Sequence, residues 1–184
     1  MSIRDSLRQA TKVHHQRLHD HPALAGILTP HYPLSRYLSL LQGFTLFYQA
    51  VEAELPATLE GFSYEPRRKL PWLTQDLQYF QLPLPSPSTA SVPLLSQEQQ
   101  IGTLYVIEGS TLGGQVIAGH LLAHLGVEPA KGGRFYHGYG PDTASHWQAF
   151  TGLLDCLESQ LDEEATVAAA KRTFDYLVAC LEGY

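Results

Sequence analysis

Proline and glycine residues divide this chain into segments with helical spacing of apolar residues, and this division constrains the fold more than any other feature. Apolar residues three and four positions apart share one helix face, and no segment shows the apolar and polar alternation of a strand. The pattern predicts helices over 2–20, 33–55, 66–80 with an interruption at Pro71, 96–125, 142–160 and 162–182. The proline-rich segment 82–95 and the glycine-rich segment 126–141 are predicted loops.

The length and charge of the chain narrow its class. Its 184 residues are predicted to form one compact all-α domain over 1–184, because a domain of this size buries about 70% of its unfolded surface without disulfides or metals. The net charge of −6 argues against a nucleic-acid-binding protein, which needs a basic face. No apolar run approaches the ~20 residues of a membrane span, and no signal peptide precedes the first predicted helix. Cys156 and Cys180 are expected to be free core thiols in a reducing cytoplasm.

Four glycines lie inside the longest predicted helix: Gly109, Gly113, Gly114 and Gly119. Each costs roughly 1 kcal/mol relative to alanine in a helix, so the backbone there must serve another purpose. Gly109 and Gly113 share one face, with Ser110 and Gly114 on the adjoining row. A closely packed neighbouring helix and a planar cofactor both fit this strip. Glycines also permit a kink, and Ser110 is the polar side chain of the strip that could hold water.

A histidine and a basic stripe mark the first predicted helix. Arg8, Thr11 and His15 lie in one line, with Arg4 and Lys12 beside it. At 1.5 Å per residue, Arg8 is about 10 Å along the axis from His15, which suits a ligand with a metal at one end and anionic groups at the other. Imidazole is a natural axial ligand of haem iron, and arginine pairs with carboxylates.

Two other interpretations of these histidines remain open. His14 and His15 could be ordinary surface residues above a solvated basic face. Alternatively, the two i, i+4 pairs, His15 with His19 and His120 with His124, could each clasp one zinc ion, although four imidazoles are an uncommon zinc site.

Taken together, four segments resemble the haem oxygenases, in the same order along the chain. They are ATKVHHQ at 10–16, YVIEGSTLGGQVI at 105–117, RFYHGYG at 134–140 and AAAKRTFDYLVACL at 168–181. The resemblance implies that His15, four positions after Thr11, is the axial ligand of the iron. It also implies that the glycine-rich segment covers the opposite haem face and that Phe174 lies near the pocket. The sequence EGS at 108–110 suggests the bacterial branch of the family, whose members supply biliverdin to phytochromes or release iron from haem.

The resemblance implies a function as well as a fold. Haem b, iron protoporphyrin IX, would be both cofactor and substrate, bound between helices 2–20 and 96–125 with Arg8 on a propionate. Gly109, Gly113 and Gly114 would leave room for the porphyrin and for oxygen, while Ser110 holds a water that delivers a proton. The products would be biliverdin, carbon monoxide and iron. The implied partners are an electron donor, such as ferredoxin or a flavin reductase, and a bacteriophytochrome as biliverdin acceptor, in the cytoplasm.

Three positions depart from the family pattern. Ser110 stands where many relatives have an aspartate that organises water. His19 stands where relatives often carry a carboxylate that supports the axial histidine. Gly152 falls roughly where relatives have a basic residue for a propionate, and the expected replacements are Arg4, Lys131 or Arg134.

Alternatives from other classes also remain. A haem carrier or sensor would bind the same ligand without degrading it. A relative with the same fold could perform di-iron or thiamin-fragment chemistry, but the chain has no Glu-x-x-His pair, and neither cysteine has an obvious base nearby in sequence. A purely structural bundle leaves the histidine, the basic stripe and the glycines unexplained together.

Overall fold

The computed structural model describes residues 2–87 and 92–183, and helices dominate this part of the chain. None of these helices is both long and apolar enough to cross a membrane. The seven α-helices found there are α1 (Ile3–Asp20), α2 (Leu34–Glu54), α3 (Leu70–Tyr79), α4 (Gln97–Leu125), α5 (Arg134–His137), α6 (Thr143–Leu157) and α7 (Glu163–Leu181).

The ends of the two helices that form the centre of the fold are set by capping residues. Ser96 and Gln99 make a complete capping box at the start of α4, and Gly126 ends that helix in the left-handed conformation with φ 65°. Asp162 accepts a hydrogen bond of 2.9 Å from the backbone N–H of Ala165 and so caps α7. The sequence-predicted boundaries are therefore confirmed to within a few residues.

Four local predictions need correction. Pro71 does not interrupt a helix but lies in the first turn of α3, where its missing N–H costs nothing. The predicted loop 126–141 contains the short helix α5. The chain also has a two-stranded hairpin, β1 (Thr58–Leu59) and β2 (Phe62–Ser63), which is too short to show alternation. Finally, Cys156 is an exposed thiol rather than a core one, whereas Cys180 is buried.

The predicted loop 82–95 falls partly outside the described residues, because 88–91 are not among them. Its described parts, 82–87 and 92–95, contain neither helix nor strand, as the prolines predict.

Helix α4 packs against α7 at a point where a side chain has no room. A Cβ on Gly102 would lie 2.6 Å from the carbonyl oxygen of Thr166 and 2.7 Å from the Cβ of Ala169. Next to this contact, the buried hydroxyls of Thr103 and Thr173 are hydrogen bonded at 3.0 Å. Close helix packing therefore explains Gly102, a glycine outside the strip identified from the sequence.

A buried ionic cluster joins α4 to the segment before α3. The carboxylate of Glu108 is fully buried; it forms an ion pair with Lys69 and a second one of 2.8 Å with Arg67. Tyr139 accepts a hydrogen bond from Lys69 at 2.7 Å and donates one to Glu108 at 2.9 Å. Burial lowers the pKa of Lys69, and Glu108 opposes this shift. The cluster fixes the rotation of α4 at the residue before Gly109.

A second buried carboxylate extends this connection to α2. Glu52 accepts hydrogen bonds from the backbone N–H groups of Lys69 (2.6 Å) and Leu70 (3.1 Å) and from the hydroxyl of Tyr64 (2.9 Å). Burial raises the pKa of Glu52, and these donors oppose the shift. A carboxylate at this place satisfies the free N–H groups at the start of α3.

The contact at Gly102 predicts a stability difference between two glycines of one helix. Gly102→Ala should destabilise the protein by about 1–3 kcal/mol, because the backbone of α7 must shift. Gly119→Ala, whose Cβ would meet no atom within 4 Å, should stabilise it by up to about 1 kcal/mol through helix propensity. Urea denaturation measures both values. Equal free energies of unfolding for the two variants would contradict the packing.

The buried ionic cluster at Glu108 predicts a larger loss of stability than the Gly102 contact does. Glu108→Gln should lower the free energy of unfolding by about 3–5 kcal/mol, because it leaves two buried cations without their counter-ion. The control is Glu128→Gln, which breaks the exposed pair of Glu128 with Lys131 (2.9 Å) and should cost less than about 1 kcal/mol. Thermal and urea unfolding compare them. A Glu108 variant as stable as the control would show that the cluster is dispensable.

Candidate functional site

One cavity of about 790 Å³ lies between α1 and α4 and is closed at the sides by α2, α5, α6 and α7. It collects eight of the site residues predicted from the sequence. These are Arg8, Thr11 and His15 of α1, Gly109, Ser110, Gly113 and Gly114 of α4, and Phe174 of α7. Residues that lie far apart in the sequence thus line a single space.

The floor of the cavity presents the imidazole of His15. Its ring lies edge-on to Phe174 with the ring centres 6.0 Å apart, and 4.5 Å from the ring of His19. Partial burial lowers the pKa of His15, with a smaller contribution from His19, so the neutral, metal-binding form is favoured. His14 does not line the cavity; its Nδ1 pairs with Asp175 at 3.0 Å.

A basic edge lies one to two turns from the imidazole. Arg8 and Lys12 both line the cavity and are exposed along it. The three cations expected to replace the missing basic residue near Gly152 do not line it, so the structure gives that expectation no support. Each has another partner: Arg4 pairs with Asp155 (3.5 Å), Lys131 with Glu128 (2.9 Å), and Arg134 donates to the carbonyl of Gly138 (2.6 Å).

Thr11 is buried between the floor and the opposite helix. Its hydroxyl donates to the carbonyl of Leu7 at 2.7 Å, within α1. Burial raises the pKa of the neighbouring Tyr105, and Thr11 and Arg8 oppose the shift. Thr11 therefore fills space beside the cavity without an unsatisfied hydroxyl, and Tyr105 adds a phenol to the basic edge.

The wall of the cavity formed by α4 is its roof, and it contains Gly109, Gly113 and Gly114. These glycines differ in how much space their missing side chains leave open. A Cβ on Gly113 would meet no atom within 4 Å, so this position opens directly into the cavity. A Cβ on Gly109 would contact the Trp147 ring at 3.6 Å, and one on Gly114 would lie 3.4 Å from the carbonyl oxygen of Tyr136. Gly119 does not line the cavity. Bare backbone thus faces the space over roughly one turn of helix.

Two hydroxyls lie at the roof. Ser110 donates to the carbonyl of Ile107 at 2.9 Å, which leaves its lone pairs free to accept a hydrogen bond. Tyr48 of α2 is buried and lines the same wall. Burial raises the pKa of Tyr48, and its hydrogen bond with Ser110 opposes that shift. Sequence reasoning missed Tyr48, because it resembles any other aromatic residue of an apolar helix.

The segment 134–140 supplies the aromatic side wall. Asp76 of α3 accepts hydrogen bonds from the backbone N–H groups of Arg134 (2.7 Å) and Phe135 (2.8 Å) and so holds the start of α5. Burial raises the pKa of Asp76 to about 6. The short helix places Phe135 and Tyr136 along the cavity.

The zinc interpretation is not supported. Within residues 2–87 and 92–183, no group of three or more histidine, cysteine, aspartate or glutamate side chains could hold a metal ion. His120 and His124 have ring centres 5.7 Å apart and lie outside the cavity that contains His15. The two pairs therefore do not form one four-imidazole site.

The donor set of the cavity fits iron protoporphyrin. The volume lies within the range of about 300–1,000 Å³ usual for small-molecule sites. The walls are mainly apolar and aromatic, the floor offers the imidazoles of His15 and His19, and the edge offers two cations for carboxylates. A planar apolar ring with a metal at its centre and acidic groups at one edge matches each of these features.

Comparison with known proteins gives the same result. The family model described as "Heme oxygenase" matches residues 1–182. The heme oxygenase of Xanthomonas campestris pv. campestris is 31% identical over 155 residues, which is 80% of this chain and 86% of the relative. The structure of heme oxygenase from Leptospira interrogans has a TM-score of 0.83 at 20% identity and covers 100% of both chains. That of the Neisseria meningitidis enzyme has a TM-score of 0.80 at 22% identity and covers 100% of this chain and 92% of its own.

These findings confirm the all-α fold and the resemblance drawn from the four sequence segments. The carrier and the other chemistries are not favoured, because neither the family match nor the fold points to them. The chain belongs to the haem oxygenase family and is a haem-degrading enzyme, for which haem is both cofactor and substrate.

Proposed function

We propose that haem is degraded in the cavity between α1 and α4, with His15 as the axial ligand of its iron. The observation that supports this assignment is the placement of the His15 imidazole, next to Phe174, in the same cavity as the open position at Gly113. When bound, haem supplies the iron at which oxygen is activated and the macrocycle that is cleaved. The protein contributes orientation, proton delivery and exclusion of other reactions.

Arg8 and Lys12 orient the ring by pairing with its propionates. Both cations lie on the face of α1 that carries His15, at seven and three residues from it, so an iron above the imidazole places the acidic edge within their reach. Phe174 restrains the imidazole through its edge-on contact of 6.0 Å. Arg8 and Lys12 would therefore fix the orientation of the macrocycle within its own plane, and Phe174 would hold the imidazole in place.

Ser110 and Tyr48 hold the water through which a proton reaches the reacting oxygen. Ser110 accepts a hydrogen bond from such a water, and the buried phenol of Tyr48 stays protonated because its pKa is raised. A phenol that keeps its proton positions this water as a hydrogen-bond donor and is not itself the source of the transferred proton. The backbone at Gly109, Gly113 and Gly114 leaves the space in which oxygen and this water fit.

Reducing equivalents come from a soluble donor, such as ferredoxin or a flavin reductase, and a bacteriophytochrome is the proposed acceptor of biliverdin. The cytoplasm, where such donors and reduced thiols are found, is the proposed compartment. The exposed thiol of Cys156 is compatible with a reducing environment.

His15→Ala tests the axial ligand. The variant should lose the absorption spectrum of histidine-ligated haem and the formation of biliverdin with reductant and oxygen. His14→Ala is the matched control, because His14 faces Asp175 instead of the cavity, and it should keep both. Absorption spectroscopy during haemin titration and turnover measures the difference. Equal loss in both variants, or in neither, would contradict the assignment.

Gly113→Leu tests the roof. A leucine side chain at this position would enter the cavity, so haemin affinity or oxygen binding should fall by about tenfold or more, with helix content unchanged. Gly119→Leu places the same side chain on the same helix outside the cavity and should bind haemin normally. Haemin titration and circular dichroism give the two measurements. A fully active Gly113 variant would overturn the role of the roof.

A further inference from the structure

A second imidazole lies in the cavity and has no role in the function proposed above. His19 follows His15 by four residues on α1, and both side chains line the cavity. Their ring centres are 4.5 Å apart, with 63° between the ring planes. Both residues are exposed, so the pair lies where the cavity meets the surface.

The separation of the two rings would allow both imidazoles to bind one metal ion at adjacent positions. A metal–nitrogen distance of about 2.1 Å puts each ring centre roughly 3.2 Å from the ion. Two imidazoles at right angles around the ion then have ring centres about 4.5 Å apart, which matches the observed separation. The second i, i+4 pair, His120 with His124, has its ring centres 5.7 Å apart and does not match it.

We propose that His15 and His19 together form a transient binding site for the iron released from haem. This inference rests on the proposed function, because it takes His15 as the axial ligand. Iron in intact haem has four pyrrole nitrogens around it, and these occupy every position next to the axial imidazole. Once the iron leaves the cleaved tetrapyrrole, those positions are open to water and to the nitrogen of His19.

The step is an exchange of ligands on ferrous iron, the form favoured while reducing equivalents are supplied. A bond from iron to a tetrapyrrole nitrogen breaks, a bond to the nitrogen of His19 forms, and no electron is transferred.

A site with only two protein ligands is suited to brief binding of an iron ion and not to its storage. In the part of the chain that the structure describes, no third histidine, cysteine, aspartate or glutamate joins the two imidazoles. Water must therefore fill the remaining positions of the ion, which makes binding weak and release fast. His19 lies about 6 Å further along α1 than His15, so the exchange shifts the ion towards the C-terminal end of the helix.

Co²⁺ titration of the haem-free protein tests the site. Co²⁺ is a stable probe that binds nitrogen ligands somewhat more tightly than Fe²⁺. The background protein carries His120→Gln and His124→Gln, which removes the other i, i+4 pair. Calorimetry should show one Co²⁺ per chain in this background. His19→Gln and, separately, His15→Gln should each weaken binding by about tenfold or more, whereas His14→Gln should leave it unchanged.

The second part of the experiment tests whether bound haemin blocks the Co²⁺ site. Loading the background protein with haemin should abolish Co²⁺ binding, because the iron then occupies His15. Unchanged Co²⁺ affinity after His19→Gln, or in the haemin-loaded protein, would overturn the inference. Haemin binding without Co²⁺ binding would refute this inference alone. Loss of histidine-ligated haemin binding to the background protein would refute the proposed function.

Discussion

The carboxylate of Glu108 is the buried charge on which the arrangement of the site depends. It is fully buried and contacts Arg67, Lys69 and Tyr139, so α4 cannot rotate or slide without separating an ion pair inside the protein. Removing one partner from such a cluster costs far more than an exposed pair contributes. Because the next residue is Gly109, the same constraint determines which face of α4 is turned towards the cavity.

Helix α4 uses glycine for two opposite purposes along its length. At Gly102 the missing side chain lets α7 approach, and the space is filled by Thr166 and Ala169. At Gly113 the missing side chain leaves space that no neighbouring atom enters. Sequence alone cannot separate the two cases, since both are glycines in an apolar helix. The difference lies in which helix faces each position, and the ionic cluster at Glu108 lies between the two.

The sequence predicts the fold and the cavity floor well because both depend on local rules. Helical periodicity, the capping box at Ser96 and the terminal glycine at 126 are local signals, and His15 shares a helix face with Arg8 through spacing alone. Partners that depend on tertiary structure could not be predicted in this way. Tyr48 comes close to Ser110, and Lys69 to Glu108, only after α2, α3 and α4 pack together. In the sequence, the charged run at 65–69 looks like a solvated surface.

The neutral hydroxyl of Ser110 and the charged Glu108 belong together in one electrostatic arrangement. Two residues apart on a helix, their side chains point about 200° away from each other, so the carboxylate faces Lys69 while the hydroxyl faces the cavity. An aspartate at 110 would need to be hydrated or paired beside the buried phenol of Tyr48. With serine at 110, the negative charge of this helix turn is that of Glu108, which Arg67 and Lys69 neutralise on the side away from the cavity. The wall of the cavity at Ser110 therefore carries no charge. In the function proposed above, proton delivery would then depend on hydroxyls and on water held by the backbone, which the glycines leave accessible.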